Sequence, residues 1–327
     1  MGTLVTEIVR RASRCAAMVA FVTGVPALGA AAFPLRTNDV VAFLGGANVV
    51  AAQQSGHVET LLTIAEPGHH LAFRGLAWEG DTVFARPREL NYPTLAEQLR
   101  RTGATVVVVQ FGQTESMAGE AKVDDFIRAY GQLLDTCAAV APRFVLVTPP
   151  LFERPVETTL PDLTVHNTGL VRYAAAIREI AAQRGATLVD LTRGLAGENS
   201  PGRLTRAGWP LTPAGQAKVA AVFARQLGMG EVASRAGRAD VAGKWSAPGF
   251  EPVRVAVAEK NTLWFRYTRP TNWAFLAGDR TEQPSSRDHR DLKVRWFPPE
   301  LEQFVPLIAE AEHRIEKLAP MTPDSSR

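Results

Sequence analysis

Cysteine is scarce in this sequence, and neither sign of charge is much in excess. Cys15 and Cys137 are the only cysteines among 327 residues, too few for a disulfide framework. The formal charge of +3 comes from 36 basic and 33 acidic side chains. Arg10, Arg11, Arg14 and Glu7 fall within residues 1–32, which leaves 33 basic and 32 acidic groups in the remainder. A body so nearly neutral gives no electrostatic basis for a nucleic-acid or acidic-lipid partner. Internal repeats and low-complexity tracts are also missing. What is present is an ordinary globular composition, 46% apolar and 21% charged, which excludes wholesale disorder and a polytopic membrane protein. The length allows two domains, or one large α/β domain with an appendage.

The first 32 residues read as a signal peptide. A cationic stretch ends at Arg14, Cys15 to Leu35 carries no charge, and Ala30, Ala31 and Ala32 close the segment. An uncharged run of this length could also span a bilayer as an anchor; Pro26, the two glycines and the alanine-rich end favour cleavage. Export to the periplasm or the extracellular space is the expectation, with no membrane attachment after cleavage. Arg10-Arg11 is a twin-arginine pair without the expected flanking residues. Removal after about residue 30 leaves Cys137 alone, which rules out an intramolecular disulfide and a cysteine-based metal site.

From residue 38 short apolar runs alternate with longer amphipathic ones, the pattern of parallel strands joined by crossover helices. Strands are expected at Val40–Leu44, Leu71–Arg74, Thr105–Phe111, Arg143–Thr148 and Thr187–Asp190. Thr105 to Val109 is apolar on both faces and belongs in the sheet centre. Helical spacing marks His57–Ile64, Thr94–Arg101, Val123–Ala139, Leu170–Gln183 and Pro213–Gln226. The expected fold is a three-layer α/β/α sandwich with a five-stranded parallel sheet over residues 38–232. Ligands of such sheets sit outside the carboxyl ends of the strands, which singles out Gly45–Asn48, Ala77–Thr82, Gly112–Ser116 and Pro149–Arg154. Residues 233–327 read as a linker, Ser234–Lys244, and an α+β extension packed on the main domain. In it Val253–Ala258 and Leu263–Tyr267 are expected strands, and Glu300–Leu318 is an expected helix.

Phe43-Leu44-Gly45-Gly46-Ala47-Asn48, continuing through Gly56-His57-Val58-Glu59, resembles the first block of the SGNH (GDSL-like) hydrolases, where a strand ends in Gly-Asp-Ser and a helix follows. Leu76-Ala77-Trp78-Glu79-Gly80-Asp81 is similar to the second block, and Gly112-Gln113-Thr114-Glu115 to the third, Gly-x-Asn-Asp or Gly-x-Asn-Glu. Leu211-Thr212-Pro213 is similar to the segment after the family's Asp-x-x-His. The resemblance spans about residues 38 to 230 and implies a flavodoxin-like sheet. The tail, with Lys260-Asn261-Thr262-Leu263-Trp264-Phe265 and Arg269-Pro270-Thr271-Asn272, resembles the C-terminal extension of a secreted bacterial subgroup.

Family chemistry uses a serine nucleophile, a histidine base oriented by an aspartate, and N–H donors aimed at the oxyanion. The resemblance places Ala47 at the nucleophile, Thr114 at the side-chain oxyanion donor, Ala207 at the aspartate and Pro210 at the histidine. Of the hallmark groups only Gly80, a backbone donor, is kept. Ser55, Ser116, His57 and His166 are the nucleophile and base types near these loops, and Ser116 with His166 is the pair to weigh as relocated catalytic residues. Asp81 and Glu115 form a possible carboxylate pair, although an Asp in this setting more often caps a turn. His69 and His70, read as adjacent strand residues, point to opposite faces and cannot share a metal. Glu59 and the run Lys122–Asp125 read as solvated faces. Asn48, Trp78, Gly80, Gln113, Thr114 and Glu115 are the expected ligand contacts, with His166 and Trp209 at the rim. No cofactor or metal is expected. The expected function is a catalytically degenerate, exported SGNH-like protein that binds a carbohydrate or ester-type ligand; the alternative is an acyl or acetyl-ester hydrolase with relocated residues.

Overall fold

Val106 to Val109 are four consecutive β-branched residues with almost no solvent exposure, a run that can be satisfied only between two covered faces. The computed structural model describes residues 33–196 and 203–321, and the signal peptide expected over 1–32 lies outside them. In it these valines belong to the middle strand of a five-stranded sheet. The strands are β1 (Val40–Gly45), β2 (Ala72–Gly75), β3 (Val106–Gln110), β4 (Arg143–Thr148) and β5 (Thr187–Asp190), in the order β2-β1-β3-β4-β5 and all parallel. Val106 and Val108 join the core on one face with Phe43, Leu61 and Val145. Val107 and Val109 join the core on the other with Leu44, Phe126, Tyr130 and Leu146.

Crossover helices cover both faces. On the first are α1 (Ala47–Ser55), α2 (His57–Ala65), α8 (Pro213–Gln226) and α9 (Gly230–Ala236); on the second are α3 (Leu95–Thr102), α5 (Val123–Ala138) and α6 (Asn167–Arg184). Single-turn helices α4 (Gln113–Ser116) and α7 (Leu191–Gly194) follow β3 and β5 directly. Local sequence sets several boundaries. Thr94 caps α3 through a capping box with Glu97, and Thr212 caps α8 ahead of Pro213 at its first turn. Periodicity does not mark helix α1, because Val49 and Val50, its two buried residues, are adjacent rather than a turn apart.

The C-terminal segment differs most from expectation. Val253–Ala258 and Leu263–Tyr267 are not strands: both lie in one helix, α10 (Phe250–Thr268). The alternation of Val253, Val255 and Val257 mimics a strand, yet the buried residues Phe250, Val253, Val257, Lys260, Asn261 and Trp264 follow helical spacing. After α10 come α11 (Trp273–Leu276), a hairpin of β6 (Arg287–Asp288) and β7 (Asp291–Arg295), α12 (Phe297–Glu302) and α13 (Phe304–Leu318). The extension is therefore helical apart from the hairpin. Part of the expected linker is ordered structure: Ser234 to Ala236 end α9, and Ala239 pairs with Trp245.

Glu59 is a second correction. It is not on a solvated face but buried under α10, 2.7 Å from the Lys260 Nζ, and its other oxygen accepts from Asn261 Nδ2 at 2.9 Å. His69 and His70 precede β2 rather than lying in it; His70 has a left-handed backbone, φ 53°, and pairs with Glu316 on α13. Lys122 and Asp125 do lie on an exposed face. Among the described residues no helix is long and apolar enough to cross a membrane.

Candidate functional site

A parallel sheet collects the loops that follow its strands at one edge, and here they line a crevice open to solvent. Gly46, Ala47 and Asn48 come from the end of β1; Gln110, Phe111, Gln113, Thr114 and Glu115 from the end of β3; Pro149 from the end of β4. Asp81 from the loop after β2 and Trp209 from the segment before α8 complete the lining. Among these residues Thr114 is the sole hydroxyl, and none is Ser, Cys or His. Among the described residues no group of three or more His, Cys, Asp or Glu could hold a metal ion.

Gln113 organises the floor. Its Oε1 accepts from Asn48 Nδ2 at 2.5 Å and from Trp209 Nε1 at 2.6 Å, while its Nε2 donates to Pro150 O at 2.9 Å. Two donors on one side and a carbonyl on the other fix the orientation of the amide. Three loops that are distant in sequence are thereby tied through one buried side chain. Thr114 beside it is exposed and its hydroxyl makes no hydrogen bond to the described residues.

The two carboxylates of the crevice are occupied structurally. Glu115 accepts from Gly112 N at 2.7 Å and Val83 N at 2.9 Å; burial pushes its carboxyl pKa up against the lowering effect of these N–H groups. Asp81 accepts from Trp78 N and takes both arms of Arg88, at 2.6 and 2.7 Å. These bonds make the two separate turn caps, with no hydrogen bond between them.

Ala47 is the first residue of α1 and faces the crevice with a methyl group. Gly46 before it is constrained by close approach: a Cβ there would lie 3.0 Å from Asp81 O. Gly80 itself does not line the crevice. It is exposed in the turn that carries Asp81, and that turn rests on Gly46. Trp78, an expected ligand contact, is not in the crevice lining and is half-buried against Arg88, Arg269 and the Tyr92 ring. Ala207 and Pro210 flank a tight turn at Gly208, φ 92°, where a Cβ would strike Glu153 O at 2.4 Å. The residue this turn sends into the crevice is Trp209.

Ser116 and His166 are not joined. Ser116 is buried and its Oγ donates to Gln113 O at 2.7 Å. His166 sits at the start of α6 with its ring against Phe152. Ser55 caps its own helix by donating to Ala52 O, and His57 is buried against Trp245 with Nε2 on Gly243 O. Gln110 and Phe111 also line the crevice although neither is among the expected ligand contacts; their place at the carboxyl end of β3 is the signal that marks them.

No protein-family model matches the chain, and no curated protein does. Solved structures do. BT4096, a gut microbial diltiazem-metabolizing enzyme, superposes with a TM-score of 0.60 at 11% identity, covering 88% of this chain and 96% of that one. A protein described as a GDSL-like lipase, from Parabacteroides merdae, gives 0.46 at 14% identity over 61% of this chain and 100% of that one. Axe2, an acetyl-xylooligosaccharide esterase from Geobacillus, gives 0.44 at 14% identity over 59% and 96%. At these identities the likeness is one of fold. With the sheet order and the parallel register, the chain has an α/β fold built on a five-stranded parallel sheet, shared with BT4096 over most of its length.

Proposed function

We propose that this protein is an exported, non-hydrolytic member of the SGNH-like fold whose strand-end crevice binds a neutral polar ligand of carbohydrate or ester type. The observation that carries the reading is the lining of the crevice, with Ala47 at the head of α1 and no Ser, Cys or His among its described residues. Acyl transfer needs an attacking oxygen or sulfur and a base to take its proton. Thr114 is the one hydroxyl available, and no base is hydrogen-bonded to it. What the crevice keeps is the means to hold a ligand: Asn48, Gln113 and Trp209 locked together, a free Thr114 hydroxyl, and the Trp209 indole in the lining. Amide groups beside an aromatic ring suit polyhydroxylated ligands, which present hydroxyls at their edges and C–H faces to the ring. Export rests on the charge-free 15–35 segment behind three arginines; N-terminal sequencing of secreted material is expected to begin close to residue 33.

A glycan-array screen of the purified protein, followed by titration of the best ligand, tests the binding reading. Trp209→Ala removes both the ring and a donor to Gln113, and its affinity is expected to fall by about tenfold or more, the range for losing a buried aromatic contact. An affinity in Trp209→Ala equal to that of wild type would place the ligand elsewhere. Ester turnover by wild type that disappears in Ser116→Ala or His166→Ala would replace this reading with a relocated catalytic pair.

A further inference from the structure

The turn from Trp78 to Asp81 is held by two arginines from distant parts of the chain. Arg88, in the same loop, binds Asp81 through two bonds and lies 4.4 Å from the centroid of the Trp78 ring. Arg269, the residue after α10, donates to Glu79 Oε2 at 2.7 Å and to Ala77 O, with its guanidinium 4.7 Å from the same ring and 4.4 Å from that of Phe265. Each cation has its own carboxylate within the turn, so two guanidiniums can share one indole without an unbalanced charge. Neighbouring bonds fasten the same two segments together. Tyr92 Oη donates to Thr268 O at 2.7 Å, Trp273 Nε1 to Leu90 O at 2.8 Å, and Asn91 Nδ2 to Ala277 O at 2.9 Å.

The gripped turn is also a wall of the crevice. Asp81 lines it, and Asp81 O packs on Gly46 beside Ala47. We propose that Arg269 is a positioning residue for the crevice: through Glu79, Ala77 O and the Trp78 ring, the C-terminal segment holds the 78–81 turn in place, so that the wall and the extension order together. The consequence for ligand affinity rests on the crevice being the binding site; the ordering does not. By linkage, a ligand that contacts the ordered wall also stabilises the docked segment 268–277.

Hydrogen exchange of the full chain, followed by mass spectrometry without ligand, tests this. The amides of Trp78, Asp81, Thr82 and Val83 are bonded to Asp81 Oδ2, Trp78 O, Ala85 O and Glu115 Oε1, so they are protected only while the turn is held. In Arg269→Ala their exchange is expected to rise about tenfold, with β3 at its wild-type rate. Arg269→Lys keeps a charge for Glu79 but loses the planar fork that reaches Ala77 O and stacks on Trp78, and is expected to fall between the two. Wild-type exchange over 77–83 in Arg269→Ala, or a rise spread evenly through the sheet, would overturn the proposal. Should that variant not fold, Glu79→Gln decides. Glu79 is 55% exposed, so the variant retains the fold, and a change of exchange confined to 77–83 is expected; its absence counts against the positioning role. Because no ligand enters these measurements, a failed glycan screen leaves their outcome standing.

Discussion

Lys260→Ala is expected to destabilise the protein by about 3–5 kcal/mol in chemical denaturation, the cost of leaving a buried charge without its partner. Lys260 has no exposed surface; its Nζ lies 2.7 Å from Glu59 Oε1 and donates to Phe73 O at 3.3 Å. The bonds join α10 to α2 and to β2 at Phe73, and Asn261 adds donors to Glu59 and Gln53 O. Without the ammonium, Glu59 keeps one side-chain donor in a site where burial already pushes its pKa up. The paired variant Glu59→Gln with Lys260→Met removes both charges and is expected to recover most of the loss, since much of the single-mutant cost belongs to the orphaned partner. A double variant as unstable as Lys260→Ala alone would show that the pair acts through packing rather than charge.

Acid is expected to unfold the protein through His57 before it reaches the paired aspartates. This ring is 1% exposed, with Nε2 on Gly243 O, its Nδ1 unpartnered, and the Trp245 edge against it. Burial is the main cause that lowers its pKa from 6.5 to about 4, with Arg254 acting in the same direction. The folded state therefore resists a proton that the unfolded chain accepts below pH 6.5. Stability is full above that value and falls by up to about 1.4 kcal/mol per pH unit until pH about 4, a total of about 3 kcal/mol. Asp39 and Asp190, whose pKa values hydrogen bonds and arginines bring below 3.8 against the opposing effect of burial, lose their contributions only at lower pH. Burial of Glu59 and Glu115 works in the opposite sense, since raised carboxyls favour the fold as they protonate. The comparison is therefore made against His57→Phe, which keeps a ring beside Trp245. Denaturation midpoints of wild type should drop between pH 6.5 and 4 by more than those of His57→Phe; parallel curves would contradict the assignment.

The sheet was legible in the sequence because its signals are local. Arg143–Thr148 and Thr187–Asp190 carry β-branched and apolar residues in short runs, and both strands have the expected bounds. Local signal also misled: Val253, Val255 and Val257 alternate like a strand, but the packing of α10 on α2 and α13 overrides that preference, leaving Val255 exposed. In the crevice, Ala47, Asn48, Gln113, Thr114 and Glu115 could be found from strand-end position and motif order. The bonds that give them their roles could not. Gln113 meets Trp209 across 96 residues and Arg269 meets Glu79 across 190, and pairings at such separations leave no trace in periodicity. The same holds for Glu59, whose acidic side chain on a helix reads as solvated until Lys260 is brought against it.

The most direct test of a crevice that binds without hydrolysing is the initial rate of p-nitrophenyl acetate hydrolysis by the wild-type protein. On the proposed reading, the Ala47 methyl offers no nucleophile and no His lines the crevice among the described residues, so backbone N–H groups polarise a carbonyl without an acyl-enzyme forming. The wild-type rate is expected to equal that of a heat-denatured control, and Ala47→Ser alone is expected to add nothing, because a serine restored there still has no histidine to take its proton. Saturable turnover by the wild-type protein above the denatured control would contradict the account.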